Sequence, residues 1–369
     1  MKVSLILLIL KGVILMDKCK VSFPQLGNYY VPIEILFREG LGAEYIVPPP
    51  ITQRTLELGS HYSPDFACAP FKYTLGNFIE TIEEGANILV QTGGVCRLGY
   101  YGELDGQILK DLGYDVRLVN FAKGQRSKPA TFYNNFKEIN PDVSFKKTAG
   151  ILPLVYKMVE YLDEVEDYIR KNIGFEKETG SFDIVHKDFL TELGTVRTKK
   201  ELNDTYHKYL KRLKKIEVVK PKNPIKVGIV GEYYTIMEPF TNHYMEKELA
   251  QMGIVVDRWM NITNSLLHRP EKKAKEHIKK YAKYNMGATS MYTIDKALEF
   301  AKKGYDGIIH VKSAGCTPEI DAMPVLQNIS SDYNIPILFF SFDSQTSETG
   351  IQTRLEAFYD MIIMRKEHK

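Results

Sequence analysis

Short apolar runs alternate with longer stretches in which apolar residues recur every three to four positions, near the start of the chain and again near its end. In the first part, the runs predict strands at residues 19–23, 44–47, 88–91 and 114–119. The periodic stretches between them predict helices at residues 30–39, 69–84 and 100–112. An alternation of this kind favours a parallel sheet with helices on both faces.

The same alternation returns in the last third of the chain. Strands are predicted at residues 226–230, 253–257, 307–311 and 335–342, and helices at 241–252, 293–303 and 351–363. Between the two parts, helical patterns dominate, notably at 151–173 and 199–216, and a linker with two prolines lies at 220–224. The predicted fold is α/β, with two Rossmann-like parallel-sheet domains at 16–122 and 225–369 and a helical segment with its linker at 123–224.

The first fifteen residues admit two interpretations. Residues 5–10 are apolar but lie between Lys2 and Lys11, so the run is too short to span a bilayer. It also lacks the small-residue cleavage site of a secretory signal. We favour Met16 as the true start, with residues 1–15 a mis-assigned start, and keep a leader or anchor as the alternative.

Composition narrows the class of protein. The 369 residues are 44% apolar and 26% charged, as in ordinary water-soluble globular domains, and the length suits two domains. The net charge is only +3, without a basic stripe bearing aromatic residues, which argues against nucleic-acid binding. We expect a cytoplasmic protein that does not span a membrane.

The chain has four cysteines, Cys19, Cys68, Cys96 and Cys316, which are too few and too widely spaced for a disulfide scaffold or a CxxC zinc site. Each of the last three lies at the predicted start of a helix, where free N–H groups favour negative charge and lower the pKa of a thiol. Three interpretations stay open for them: ligands of an iron–sulfur cluster, a catalytic thiol, or buried core residues. Cys19 falls in a predicted strand and is expected to be a core residue.

Several motifs resemble the dehydratase-activase-related branch of the 2-hydroxyacyl-CoA dehydratase and benzoyl-CoA reductase superfamily. They include Phe23-Pro24-Gln25-Leu26-Gly27-Asn28, Cys68-Ala69-Pro70-Phe71-Lys72, Gly315-Cys316-Thr317-Pro318 and residues 93–101 and 350–358. The resemblance implies a [4Fe–4S] cluster held by three cysteines, here Cys68, Cys96 and Cys316. Three ligands leave one iron open, and too few thiols remain for a double cubane.

The resemblance also implies partners. Superfamily members receive a low-potential electron from an ATPase activator and pass it to an acyl-CoA or another small molecule. This chain has no Walker A pattern, so the activator is expected to be a separate protein. One departure is the sequence Gly93-Gly94-Val95 before Cys96, where the family commonly has a longer segment with Gly-Pro.

Five further residues are weaker candidates. Lys72 and Arg97 flank two of the cysteines and could contact the cluster, a phosphate or CoA, or could simply be solvated. His310, Glu103 and Glu319 could act as acids or bases, although a core histidine and helix-terminal acids are the plainer interpretations.

The sequence therefore favours a cluster-dependent reductase or dehydratase of anaerobic metabolism. An electron-relay or cluster-storage protein, and a metal-free two-domain binding protein, are the alternatives. Two chains could form a dimer.

Overall fold

A computed structural model of the protein describes residues 19–92, 96–121, 129–268, 270–284 and 286–368. The predicted leader or mis-assigned start and the Gly93-Gly94-Val95 loop lie outside these residues. The first sheet is formed by β1 (Lys20–Ser22), β2 (Glu44–Tyr45), β3 (Ile88–Gln91) and β4 (Arg117–Asn120). All pairs are parallel, in the order β2-β1-β3-β4.

Four helices accompany this sheet: α1 (Tyr30–Ile35), α2 (Gln53–Tyr62), α3 (Ala69–Glu83) and α4 (Leu98–Asp111). The helix predicted at 30–39 continues past α1 as a π-helical turn, Leu36–Gly40. The strand predicted from residue 114 begins only at Arg117, because the Tyr114 N–H still bonds to the Leu109 carbonyl at the end of α4.

The middle of the chain is helical, as predicted. It contains α5 (Pro129–Ile139), α6 (Phe145–Arg170), α7 (Ser181–Leu193) and α8 (Lys199–Lys214). Buried residues of α6, such as Met158 and Leu162, share one hydrophobic core with Val227 and Val256. The helical segment therefore covers one face of the second sheet. In the part of the chain described, no helix has both the length and the apolar character needed to cross a membrane.

The second sheet repeats the topology of the first. Its strands are β5 (Ile225–Gly231), β6 (Ile254–Arg258), β7 (Gly307–Ser313) and β8 (Ile337–Phe342), all parallel, in the order β6-β5-β7-β8. Its helices are α9 (Tyr233–Met237), α10 (Met245–Gln251), α11 (Glu271–Ile278), α12 (Ser290–Lys302), α13 (Thr317–Tyr333) and α14 (Glu348–Glu367). The α/β fold with two parallel sheets is confirmed, and the boundaries at 122 and 224 stay predictions.

One predicted helix of the second unit, 241–252, is shorter than expected. His243 and Tyr244 have φ angles of 54° and 52°, in the left-handed region that residues with a Cβ rarely adopt. They separate the 3₁₀ turn Pro239–Asn242 from α10. Apolar periodicity does not reveal a left-handed break, so the pattern predicted one continuous helix.

Because the two sheets have the same strand order, corresponding loops of the two units lie at equivalent positions. In each sheet the first strand of its unit (β1 or β5) lies beside the third (β3 or β7), and the outer strands lie to either side. The crevice beyond the carboxyl ends of such a central pair is where open α/β sheets bind ligands. The loops that follow β3 and β7 carry Cys96 and Cys316, one in each unit.

Candidate metal centre

Cys316 directly follows the turn after β7 and is the N-cap residue of α13. Pro318 lies in the first helical turn, where its missing N–H costs no hydrogen bond. The backbone N–H of Glu319 donates to the Cys316 sulfur and lowers the pKa of that thiol, but burial is the larger influence and raises it overall. The end of a buried strand and the start of a long helix thus fix this cysteine at the crevice.

Cys68 is the N-cap residue of α3. Its sulfur lies 3.0 Å from the hydroxyl of Tyr101 on α4, and the backbone N–H of Phe71 also donates to it. The backbone N–H of the next residue, Ala69, donates to Ser313 Oγ over 2.9 Å, which links α3 to the end of β7 in the other unit. Cys68 is therefore held by contacts from both units.

Cys96 lies just before α4 and is the most exposed of the three. The N–H of Leu98 donates to its sulfur. The neighbouring Arg97 donates a hydrogen bond to the Gly315 carbonyl, directly before Cys316. Arg97 therefore joins the two cysteine loops, a contact that its position beside Cys96 did not predict.

The three cysteines lie close together, although 220 or more positions separate Cys316 from each of the others. A Cβ atom built on Gly315 would lie 3.6 Å from both Cα and Cβ of Cys68. Burial raises the pKa of all three thiols, and the charge of Cys96 raises the pKa of Cys68 and of Cys316 further. The expected lowering by the helix N–H groups is present at each sulfur but is outweighed by burial.

Glu232, which follows β5 and is 8% exposed, also lies at this site, although the sequence did not predict it. Its carboxylate accepts hydrogen bonds from the N–H groups of Thr235, at 2.6 Å, and Tyr234, at 3.2 Å. Its charge raises the pKa of each of the three thiols, so it lies near all of them. The available signal was its place directly after a strand that ends in glycine. Gly231 itself forms a tight packing turn, because a Cβ there would lie 1.8 Å from the Val311 carbonyl oxygen.

Two of the weaker candidates, Glu319 and His310, belong to one buried hydrogen-bond network. Glu319 and His310 are both fully buried and bond to each other over 2.8 Å between Oε2 and Nε2. Glu319 also accepts bonds from the hydroxyls of Thr289 and Thr293. This network locks the first turn of α13 to β7 and α12, so both residues support the Cys316 loop. His310 lies in the middle of β7 and has no exposed surface at which a substrate could meet it, as expected of a core histidine.

The remaining two side chains face outward to different degrees. Glu103 is exposed on α4, and Lys72 is half-buried in the first turn of α3, one turn after Cys68. The roles predicted for both residues stay predictions.

The donor set fits a group larger than a single ion. Within the described residues, no three His, Cys, Asp or Glu side chains come close enough together to bind one metal ion. The three thiols nevertheless lie near one another, and each sulfur accepts an N–H bond from a helix start. Such donors are typical around the sulfurs of anionic iron–sulfur clusters. In an iron–sulfur cluster, each thiolate ligand binds a different iron atom. The three cysteines therefore fit a cluster better than a single metal ion.

Comparison with known proteins agrees with the resemblance of the motifs. Residues 154–362, more than half of the chain, match the family described as 2-hydroxyglutaryl-CoA dehydratase, D-component. The match contains Cys316 and Glu232 and begins after Cys68 and Cys96. No curated protein matches the chain. The chain therefore belongs to the 2-hydroxyglutaryl-CoA dehydratase D-component family, within the 2-hydroxyacyl-CoA dehydratase superfamily.

Proposed function

We propose that the protein holds a [4Fe–4S] cluster through Cys68, Cys96 and Cys316. It would serve as a cytoplasmic dehydratase or low-potential reductase component that acts on an acyl-CoA or another small molecule. A separate ATPase activator would supply its electrons. The observation that carries this proposal is that three thiols from both α/β units lie close to one another, beyond the carboxyl ends of the strands of two parallel sheets.

The surrounding residues support the binding of an anionic group. The backbone N–H groups of Phe71, Leu98 and Glu319 each donate to one cysteine sulfur, and the Tyr101 hydroxyl lies beside Cys68. Because burial raises the pKa of the thiols, metal binding must displace their protons, as it does in other thiolate sites. When bound, the cluster would supply one-electron chemistry at low potential and an iron with an open coordination position.

Iron content after anaerobic purification and reconstitution tests the ligand set. We expect about four irons per chain in the wild type and a loss of most of this iron on Cys96→Ser, because serine oxygen is a poorer ligand for iron–sulfur clusters. The matched control is Cys19→Ser: Cys19 precedes β1 and packs against the first sheet's core, so its iron content should equal that of the wild type. A folded, iron-free wild-type protein after reconstitution would refute the proposal.

A second measurement separates a catalytic component from an electron relay. The reduced protein is mixed with an acyl-CoA, and the electron paramagnetic resonance signal is followed. A changed signal supports an open iron that binds substrate. A signal that no acyl-CoA or small hydroxy acid alters contradicts the catalytic part of the proposal and favours a relay.

A further inference from the structure

Lys312 is a deeply buried cation beside the cysteine crevice. It lies in β7, four residues before Cys316, and only 5% of it is exposed. Its backbone pairs with β8, but its ammonium group makes no hydrogen bond and no ion pair with the described residues. The ammonium nitrogen is not fully shielded from solvent, although most of the residue is enclosed. Holding an ammonium group in such a place without a negative partner is unfavourable, and a negative charge nearby would compensate it.

The other deeply buried cations of the protein do have such partners. Arg170 and Arg258 are 8% and 7% exposed, and they pair with Glu246 at 2.9 and 3.0 Å. Lys296, whose side chain is 15% exposed, pairs with Asp295 and Glu299. Lys312 departs from this pattern, which points to a partner that is not a side chain of this part of the protein.

The direction of the Lys312 side chain follows from the strand. Alternate residues of a strand face the same side, so Lys312 lies on the same face as His310. His310 contacts Glu319 in the first turn of α13, and Lys312 is one step nearer to the end of the strand. The ammonium group therefore lies under the start of α13, where Cys316 is the N-cap residue.

Electrostatics agree with this placement. Burial lowers the pKa of Lys312, whereas the negative charges of the Cys316 thiolate and of Glu319 raise it. Glu319 already accepts three hydrogen bonds, from His310, Thr289 and Thr293. The uncompensated negative charge that Lys312 faces is therefore that of the cysteine site.

We propose that Lys312 is the buried counter-charge of the group held by the three cysteines and raises the reduction potential of that group. This inference rests on the proposed function. One-electron reduction adds a negative charge to a group that is already anionic, and a fixed cation nearby stabilises the reduced form more than the oxidised form. Lys312 acts through the electric field and needs no contact with a substrate.

The test is a redox titration of the reconstituted protein, followed by electron paramagnetic resonance with mediators and a titanium(III) reductant. It compares the wild type with Lys312→Met, which keeps the length of the side chain and removes its charge, and with Lys312→Arg, which keeps the charge. Lys226→Met is the matched control, because it removes an exposed lysine from the amino end of the neighbouring strand β5, away from the cysteines at the carboxyl ends. Lys312→Gln provides a second neutral variant in case Lys312→Met does not fold.

We expect both neutral variants to keep their iron and to have a lower midpoint potential than the wild type. Lys312→Arg and Lys226→Met should stay close to the wild-type value. A fully loaded Lys312→Met or Lys312→Gln protein with the wild-type potential would overturn the inference. An iron-free wild type would instead refute the proposed function, so the two failures are distinguishable.

Loss of iron is also informative. If the neutral variants lose iron and Lys312→Arg retains it, the charge is needed to hold the cluster, which supports the inference. If Lys312→Arg loses iron to the same extent, the shape of lysine matters more than its charge, and the inference is wrong.

Discussion

The backbone N–H of Ala69 donates a 2.9 Å hydrogen bond to the hydroxyl oxygen of Ser313, a residue 244 positions away in the chain. Ala69 directly follows Cys68, and Ser313 ends β7 three residues before Cys316. Both residues are buried. This single bond therefore ties the helix that carries one cysteine to the strand that leads to another.

Ser313→Ala is expected to destabilise the protein by about 1–3 kcal/mol, because it leaves the buried N–H of Ala69 without an acceptor. Urea denaturation measures this loss. If the proposed cluster is present, the same variant should also lose iron to a chelator faster than the wild type, since the positions of Cys68 and Cys316 become less fixed.

Ser341→Ala is the control for this substitution. Ser341 lies opposite Lys312 in the neighbouring strand β8 and is exposed. Its replacement should change the free energy of unfolding by no more than about 0.5 kcal/mol. Equal stabilities of the two variants would mean that the Ala69–Ser313 bond contributes nothing to the joining of the two units.

Much of the fold could be read from hydrophobic periodicity. The strands β3, β5 and β7 and the helices α3, α8 and α12 lie close to their predicted positions, because each buries a clear apolar run or stripe. Helix α2 was not predicted. This helix is mainly polar, so apolar periodicity does not reveal it. Its start is marked instead by a capping box formed by Thr52 and Thr55.

The site was harder to predict than the fold. The position of a cysteine at a helix start is visible in the sequence, and this led to Cys68, Cys96 and Cys316. Glu232 and Lys312 were missed because each lies in or after an apolar strand, where a charged residue becomes informative only when its neighbours on other strands are known. The bond from Arg97 to Gly315 likewise depends on the packing of two units, which no local pattern encodes.

A second group of buried charges links α6 to α7 and to the residues just before α1. The largely buried side chain of Glu166, 16% exposed, lies 3.5 Å from His186 and accepts a 2.7 Å hydrogen bond from Asn28. Burial alone would raise the pKa of Glu166, but the hydrogen bonds and charges of His186, Asn28 and Arg170 outweigh it and lower the pKa to about 2. Its ordinary value is 4.5.

This lowered pKa makes stability depend on acid. A carboxyl group whose pKa is lower in the folded state stabilises the fold above its unfolded pKa, and this contribution is lost as the pH falls from about 4.5 to about 2. Between pH 6 and pH 4, the wild type should lose roughly 1 kcal/mol of unfolding free energy through Glu166 alone. Urea denaturation at both pH values should show a smaller loss for Glu166→Gln. The same pH dependence in both proteins would contradict the assignment.

The crossing of α2 and α3 requires two glycines. A Cβ atom on Gly59 would lie 1.7 Å from the carbonyl oxygen of Lys72, and one on Gly76 would lie 1.9 Å from that of Thr55. Both obstacles are backbone atoms, which cannot move aside as a flexible side chain can. The two helices therefore approach more closely than any residue with a side chain would allow, and this approach sets the position of α3 and of Cys68 at its start.

Gly59→Ala should consequently force α3 away from α2 and cost at least about 2 kcal/mol of unfolding free energy. Gly150→Ala is the matched control: Gly150 is exposed in α6, and a Cβ there would meet no atom within 4 Å. Replacing that glycine should leave stability unchanged or raise it by about 0.5–1 kcal/mol, because alanine loses less backbone entropy in a helix. Thermal and urea denaturation of both variants measure the difference. If Gly59→Ala were as stable as Gly150→Ala, the close helix crossing would not determine where Cys68 lies.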